Sequence, residues 1–299
     1  MSNAEASLSQ LHDTLVSAGV EVATGPQVQP SMTPERATAI AEAVMVDPKP
    51  VPPGPVNNRV ELPGGWINPM NGELVRFAHV RELTGEDEEI IYAAQENSRP
   101  LEVVDKVIKN ATVDLGGMVT GSDMLGSLLV GDRDALGLAI YIATYGSDFP
   151  LTPKCLACGE INSVTMELEK DIPVKPMDDP MQRTVTITTR KGSEIRARLL
   201  TGDDVMSALA ALPKFLNIAA LNTLLIGRAL ESVDGKSVRE LPQSPQVMAK
   251  QMAIPDRTAL LTALDAAQPG PSWDEVKCQC SSCGEDIPIN VSLASLLLG

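Results

Sequence analysis

The stretch that decides the fold is DRDALGLAIYIATYGSDFPLTPKCLACG at residues 132–159, because a closely similar stretch, DRTALLTALDAAQPGPSWDEVKCQCSSCG, occurs at residues 256–284. Each copy predicts, in order, a helix that starts at an Asp-Arg pair, a glycine turn, a strand and a C-x-x-C-G motif. An alternating sequence typical of a further strand follows each motif, GEINSVTMEL in the first copy and GEDIPINVSL in the second. The same series of elements is therefore predicted twice in one chain.

A second pair of matching segments precedes these two. VRELTGEDEEI at residues 80–90 matches RARLLTGDDVM at residues 196–206, and in both a strand with basic residues leads into Leu-Thr-Gly, acidic residues and a helix. Thr84 is the expected N-cap, and we interpret the acidic residues after it as favourable charges in a first helical turn rather than as metal ligands or acid–base groups. The matches predict an internal duplication, with unit one at about 72–171 and unit two at about 190–298.

The chain divides into three regions in this interpretation. They are an N-terminal arm at 1–58, a first α+β subdomain at 59–171 and a second α+β subdomain at 172–299. Two short helices are predicted in the arm, at about 4–17 and 34–45, before the proline-rich linker DPKPVPPGPVNN at 47–58, which favours an extended backbone. The arm either docks on a partner or is a disordered tail. The predicted fold class is α+β, with helices and short antiparallel strands in both subdomains.

Composition narrows the classes of function. The chain has 299 residues and a formal net charge of −15, which argues against a protein that grips phosphate backbones with clustered Lys and Arg. Hydrophobic residues make up 43%, enough for a buried core, whereas aromatic residues make up only 3%. No apolar run approaches the roughly 20 residues that span a bilayer, and the N-terminal sequence does not resemble a secretory signal.

The cysteines predict a metal site. A C-x-x-C-G motif supplies two thiolates, a tetrahedral structural zinc needs four ligands, and both histidines lie far from the motifs in sequence. If the two units pair about a pseudo-two-fold axis, one Zn²⁺ can be shared by four residues, Cys155, Cys158, Cys280 and Cys283. The fifth cysteine, Cys278, could replace one ligand or be a spare thiol.

Other interpretations of the cysteines remain open at this point. The motifs could be reduced, metal-free turns, or a redox dithiol, although neither pair lies in a thioredoxin-like strand-CxxC-helix context. Catalytic zinc is disfavoured because four thiolates leave no open coordination position.

No catalytic arrangement is evident in the sequence. The strand predicted at 72–83 places Val75, Phe77 and His79 on one face, which makes that histidine a half-buried strand residue. The glycine-rich segment LGGMVTGSD at 115–123 lacks the lysine of a phosphate-binding loop. We interpret the Asp-Arg pairs as helix N-caps with a local ion pair. The sequence therefore predicts a protein that is not an enzyme.

The order VRELTGEDEE, LLVGDRDALGLAIYIATYG, strand, C-x-x-C-G and Leu-Thr-Gly-Asp resembles the baseplate-hub family of contractile-tailed bacteriophages, whose relatives also occur in other tailed phages and phage-derived injection systems. The resemblance covers roughly 60–298. It implies two zinc knuckles, with Cys155 and Cys158 in one and Cys280 and Cys283 in the other. Cys278 and the long arm depart from the pattern of the family.

The resemblance also implies a role and a location. The expected function is a structural component of the tail baseplate at or near the hub, present in multiple copies, that binds other tail proteins and no nucleic acid. It would be located in the virion, and in the host cytoplasm during assembly. The alternative is a transient assembly chaperone that is absent from the mature tail. A cellular zinc-ribbon module that binds nucleic acid and a redox protein are weaker hypotheses.

Overall fold

A computed structural model describes residues 58–95, 100–212, 217–273, 276–289 and 291–298. The helices and the linker predicted in the N-terminal arm lie outside these residues, apart from Asn58 at the end of the linker. In the described part of the chain, helices combine with strands that pair antiparallel throughout. The mixed helical and antiparallel class predicted from the sequence is confirmed.

The first half of the described chain, residues 58–171, contains a four-stranded antiparallel sheet in the order β1-β2-β3-β4. Its strands are β1 (Arg59–Ile67), β2 (Leu74–Val80), β3 (Thr112–Leu115) and β4 (Met118–Val119). The predicted glycine-rich loop at 115–123 is thus largely the hairpin that joins β3 to β4 and the turn that follows it.

The inward face of β2 agrees only in part with the predicted one. Its buried residues are Val75, Ala78 and Val80. Phe77 and His79, which the prediction places on the same face as Val75, are only partly buried and contact each other edge-to-face, with ring centroids 5.6 Å apart. The register of β1 shifts between Glu61 and Trp66, opposite this part of β2. Val75 is buried and His79 is half-buried, as predicted, but strict alternation fails between Val75 and Ala78, where the register between β1 and β2 is irregular.

Helices and a short hairpin complete the first half. The helices are α1 (Gly85–Gln95), α2 (Pro100–Ala111), α3 (Ser122–Gly126), α4 (Val130–Tyr145) and α5 (Leu168–Asp171). The hairpin pairs β5 (Asp148–Leu151) with β6 (Val164–Glu167). Helix α4 is the central element because it contacts β1, β2 and α2.

The second half, from residue 172 onward, has nearly the same order of strands and helices as the first. Its four-stranded sheet, in the order β11-β10-β9-β8, contains β8 (Thr184–Thr188), β9 (Glu194–Arg198), β10 (Leu230–Val233) and β11 (Lys236–Ser237). Its helices are α6 (Gly202–Ala210), α7 (Ile218–Ala229), α8 (Pro245–Gln251), α9 (Ile254–Ala267) and α10 (Leu293–Leu298). The remaining strands are β7 (Val174–Lys175), β12 (Gly270–Pro271), β13 (Lys277–Gln279) and β14 (Asp286–Pro288).

The matching Leu-Thr-Gly segments fold in the same way. In the first half the Arg81 guanidinium donates to both carboxylate oxygens of Asp87, at 2.6 and 3.0 Å. In the second half Arg198 donates to Asp204, at 2.6 and 2.8 Å. In each case the acceptor also receives hydrogen bonds from the threonine that precedes the helix. The acids therefore support helix starts, as predicted, and one in each turn is a buried ion-pair partner.

The Asp-Arg pairs do not have the role predicted for them. Helices α4 and α9 begin two residues before the aspartates, and neither helix has a side-chain N-cap. Asp132 is fully buried, and its Oδ1 accepts the N–H groups of Gly64 and Gly65, at 2.7 and 3.3 Å. Arg133 donates to the distant Asp105 instead of forming a local ion pair. The second pair also joins separate elements, because Asp256 accepts the N–H of Arg190 and Arg257 donates to the carbonyl of Ala249.

The two halves are in close contact. The backbone of Gly131 in α4 lies so near to Gly270 that a Cβ at position 131 would lie 1.5 Å from the carbonyl oxygen of Pro269. Arg183 donates to the carbonyls of Gly64 and Gly65, at 3.0 and 2.6 Å. The C-terminal residues return to the first core, where Val276, Ile289 and α10 join the apolar cluster. None of the described helices is long and apolar enough to cross a membrane.

Candidate metal centre

Each C-x-x-C-G motif forms a tight turn, which we call the first knuckle (Cys155–Gly159) and the second knuckle (Cys280–Gly284). In the first, the Cys155 N–H donates to Glu160 O at 2.8 Å and the Gly159 N–H donates to Cys155 O at 2.9 Å. Cys280 and Gly284 make the equivalent bonds, both at 2.9 Å. The two glycines have φ values of +80° and +74°. Because L side chains rarely adopt this conformation, the glycine after each second cysteine is required by the turn.

Strands hold the two knuckles in place. The second knuckle is the end of the hairpin between β13 and β14, and the first is closed by a bridge between Lys154 and Ile161. The two pairs of thiols thus lie side by side, although the contacting cysteines are 122 to 128 positions apart in sequence.

The four predicted sulfurs come together. Cys155 Sγ lies 3.7 Å from Cys283 Sγ, Cys158 Sγ lies 3.6 Å from Cys280 Sγ, and all four sulfurs lie within 4.8 Å of one another. A tetrahedron with Zn–S bonds of about 2.3 Å has edges of about 3.8 Å. The thiol set and its spacing therefore fit one tetrahedrally bound metal ion, with one buried and one exposed cysteine from each knuckle.

Hydrogen bonds adjust the acidity of these thiols. The N–H groups of Cys283 and Ser282 donate to the sulfur of Cys280 and lower the pKa of that thiol to about 6. The Glu285 N–H also donates to the sulfur of Cys283, but the crowding of the other thiols raises the pKa of Cys283 to about 12. One thiolate forms readily, whereas a full set of four needs a cation to offset the mutual repulsion.

Asn162 is a buried polar residue of the site that sequence reasoning missed. Its Oδ1 accepts hydrogen bonds from the N–H and the hydroxyl of Ser281, both at 2.8 Å, and its Nδ2 lies 3.6 Å from Cys280 Sγ. The only indication in the sequence was a polar residue in an alternating strand next to a knuckle, and that pattern does not show which partner it meets.

Cys278 is not part of the cluster. Its side chain is partly buried against Cys155, Cys280 and Ile287 and also against the main core of the first half. Burial raises the pKa of this thiol. The geometry thus places Cys278 as a packing residue. His79 also lies outside the cluster, hydrogen-bonded to Asp114 at 3.0 Å, and His12 lies outside the described residues.

The comparisons with known proteins identify the family. The model of the T4 bacteriophage base plate protein family matches residues 75–286, which is more than half of the chain. The chain belongs to the T4 bacteriophage base plate protein family. The matched range begins in β2 and ends in β14, so it includes both knuckles, the whole second four-stranded sheet and all of the first sheet except β1 and the first residue of β2. No curated protein sequence and no solved structure is significantly similar to the chain.

Membership of this base plate family confirms the resemblance noted from the sequence. It also supports a location in the phage tail and tail proteins as partners. The cluster places four cysteine thiols, from two distant parts of this base plate protein, at a spacing that could accommodate one metal ion.

Proposed function

We propose that this base plate protein is a structural component of the phage tail, placed at or near the baseplate hub, where it binds neighbouring tail proteins in multiple copies. The observation that carries this proposal is the family match over residues 75–286. The proposed location is the virion, and the host cytoplasm during assembly. The net charge of −15 favours protein partners over nucleic acid.

A structural Zn²⁺ is the metal that suits the four-cysteine cluster best. Its proposed ligands are Cys155, Cys158, Cys280 and Cys283, which supply four thiolates at the spacing of a tetrahedral site. The ion would close a loop of more than 120 residues, and the free energy of binding would become free energy of folding. Since all four positions would belong to protein ligands, the role is structural.

The two halves are proposed to be copies of one subdomain, at 59–171 and 172–299, that follow an N-terminal arm at 1–58. The matching order of strands in the two sheets supports this, as do the equivalent pairs Arg81–Asp87 and Arg198–Asp204. Each copy contributes one knuckle, so neither copy alone has enough ligands for a tetrahedral site.

A non-enzymatic role follows from the same proposal. A base plate family is a structural family, and the cluster as arranged would leave no open position for a substrate. The strongest alternative is a transient assembly chaperone, which would use the same fold and the same partners but leave before the tail is complete.

Quantitative mass spectrometry separates these two roles. We expect the protein in purified intact particles at a fixed ratio to the tail-tube protein, and at the same ratio in baseplates released from them. A protein that is abundant in assembly intermediates and absent from intact particles would be a chaperone, and the structural role would be wrong.

A further inference from the structure

Asn162 connects the two knuckles directly. It is 3% exposed, and its backbone is fixed by a 2.9 Å hydrogen bond from its N–H to Pro153 O. The side-chain carbonyl accepts both donors of Ser281, in the second knuckle, and the side-chain amide donates to the sulfur of Cys280 at 3.6 Å and to Glu160 O at 3.3 Å. A single side chain of the first half thus contacts both the backbone and a thiol of the second knuckle.

Among the described residues, the equivalent position on the opposite side of the cluster makes no such link. Ile287 lies seven residues after Cys280, as Asn162 lies seven residues after Cys155, and it is buried and apolar. Leu156, which corresponds to Ser281 in the first knuckle, is 92% exposed. In the described part of the chain, this hydrogen-bonded connection from a side chain to the facing knuckle is therefore made from the first half, in addition to the contacts between the thiols.

We infer that Asn162 is the positioning residue of the metal centre, which holds the second knuckle against the first through Oδ1 and donates a hydrogen bond to the bound thiolate of Cys280 through Nδ2. This inference rests on the proposed metal site. Buried polar groups are costly when unpaired, so the geometry of Asn162 fixes the knuckles together before the ion arrives. An N–H donor also disperses negative charge where four thiolates surround one divalent ion.

The first test is zinc affinity of the full-length protein, measured by competition with a chromophoric chelator. Asn162→Ala removes both interactions, and we expect the zinc dissociation constant to rise about 10- to 100-fold. Asn162→Asp keeps the acceptor for Ser281 but loses the donor and adds a negative charge, so a similar rise is expected in a variant of nearly unchanged shape. Ser281→Ala leaves the backbone N–H bond in place, and its effect should stay below about tenfold.

The second test is a spectroscopic signature that general destabilisation does not move. In Co²⁺-substituted protein, a thiolate that loses a hydrogen-bond donor gives up an electron more easily. The sulfur-to-cobalt charge-transfer band should therefore shift to longer wavelength in Asn162→Ala and in Asn162→Asp. Ile287→Ala is the matched control, because it removes a buried side chain beside the same cysteine without removing a donor to sulfur, and its band should not move.

The outcomes distinguish a failure of the proposed metal site from a failure of the role inferred for Asn162. If the wild-type protein binds neither Zn²⁺ nor Co²⁺ through its cysteines, the proposed metal site is wrong. If it binds both and the Asn162 variants keep wild-type affinity, the metal site stands and the inference about Asn162 is overturned. Weaker binding with an unshifted band would also overturn it, since the hydrogen bond to Cys280 would then contribute nothing.

Discussion

Replacement of Cys158 by serine tests whether the four cysteines bind a metal ion or are free thiols. Cys158 is exposed, and its sulfur lies 3.6 Å from that of Cys280. Without a metal, an exposed Cys→Ser change removes no buried surface, and its effect on the free energy of unfolding should stay within about 0.5 kcal/mol. With a metal, the same change removes one of four ligands.

The expected magnitude follows from the ligand count. Structural zinc sites contribute about 10–16 kcal/mol of apparent binding free energy, so one thiolate in four accounts for about 3 kcal/mol if the ligands share it equally. For a fold of this size each kcal/mol lowers the melting temperature by about 2–4 °C, and a loss of about 6–12 °C is therefore expected. A loss of about 3 kcal/mol is a large part of the free energy of unfolding of a folded domain, which is about 5–15 kcal/mol.

The assay is thermal unfolding of the full-length protein, with zinc content measured by elemental analysis on the same samples. Cys278→Ser is the control, because that thiol lies outside the cluster. This variant should still bind one zinc per chain, and a chelator should lower its melting temperature as much as it lowers that of the wild type. If Cys158→Ser melts like the wild type and chelator changes neither protein, the cluster does not hold a structural metal.

Three further predictions concern the rest of the fold. Gly131→Ala places a Cβ 1.5 Å from a facing backbone carbonyl and should cost more than about 3 kcal/mol in the free energy of unfolding, whereas Gly121→Ala, with open space around its Cβ, should be nearly neutral in the same urea titration. Burial raises the pKa of Asp132 to about 6, so the folded state binds more protons between pH 4 and 6 and stability from this group falls by up to about 3 kcal/mol as pH rises through that window. Asp132→Asn should remove that slope, and an unchanged difference between pH 4 and pH 7 in the two proteins would contradict the assignment. Asp204→Ala removes a buried carboxylate that forms a bidentate pair with the partly exposed Arg198, and should cost about 2–3 kcal/mol in the free energy of unfolding, while Glu231→Ala, in an exposed pair, should cost under about 1 kcal/mol.

Local patterns predicted the elements well where one signal dominated. The strand over 72–83 and the helix after Thr84 are present as β2 and α1. The C-x-x-C-G motifs predicted the four clustered sulfurs, because two thiols at this spacing can bind only half of a tetrahedral site and need a second pair.

Long-range contacts were not predictable in the same way. Asp132 and Arg133 look like a helix cap in sequence, yet each finds its partner 28 to 68 positions away. Whether a polar residue caps its own helix or reaches another element depends on which face of the helix is buried, and α4 is buried on most sides. The role of Asn162 was hidden for the same reason, since Ser281 is 119 positions away.

A metal ion bound to the shared cluster would couple the folding of the two halves. Each knuckle closes its own turn with local hydrogen bonds, so each can form before the other is near. Four ligands exist only after the chain has brought together residues more than 120 positions apart, so a bound metal would report that both halves are folded and docked. The contacts of Asn162 with the second knuckle would favour that docked state before the ion binds. Two thiols of one half alone would bind a metal ion only weakly. A base plate component with this arrangement would therefore hold its metal, and enter assembly, only when both halves are folded together.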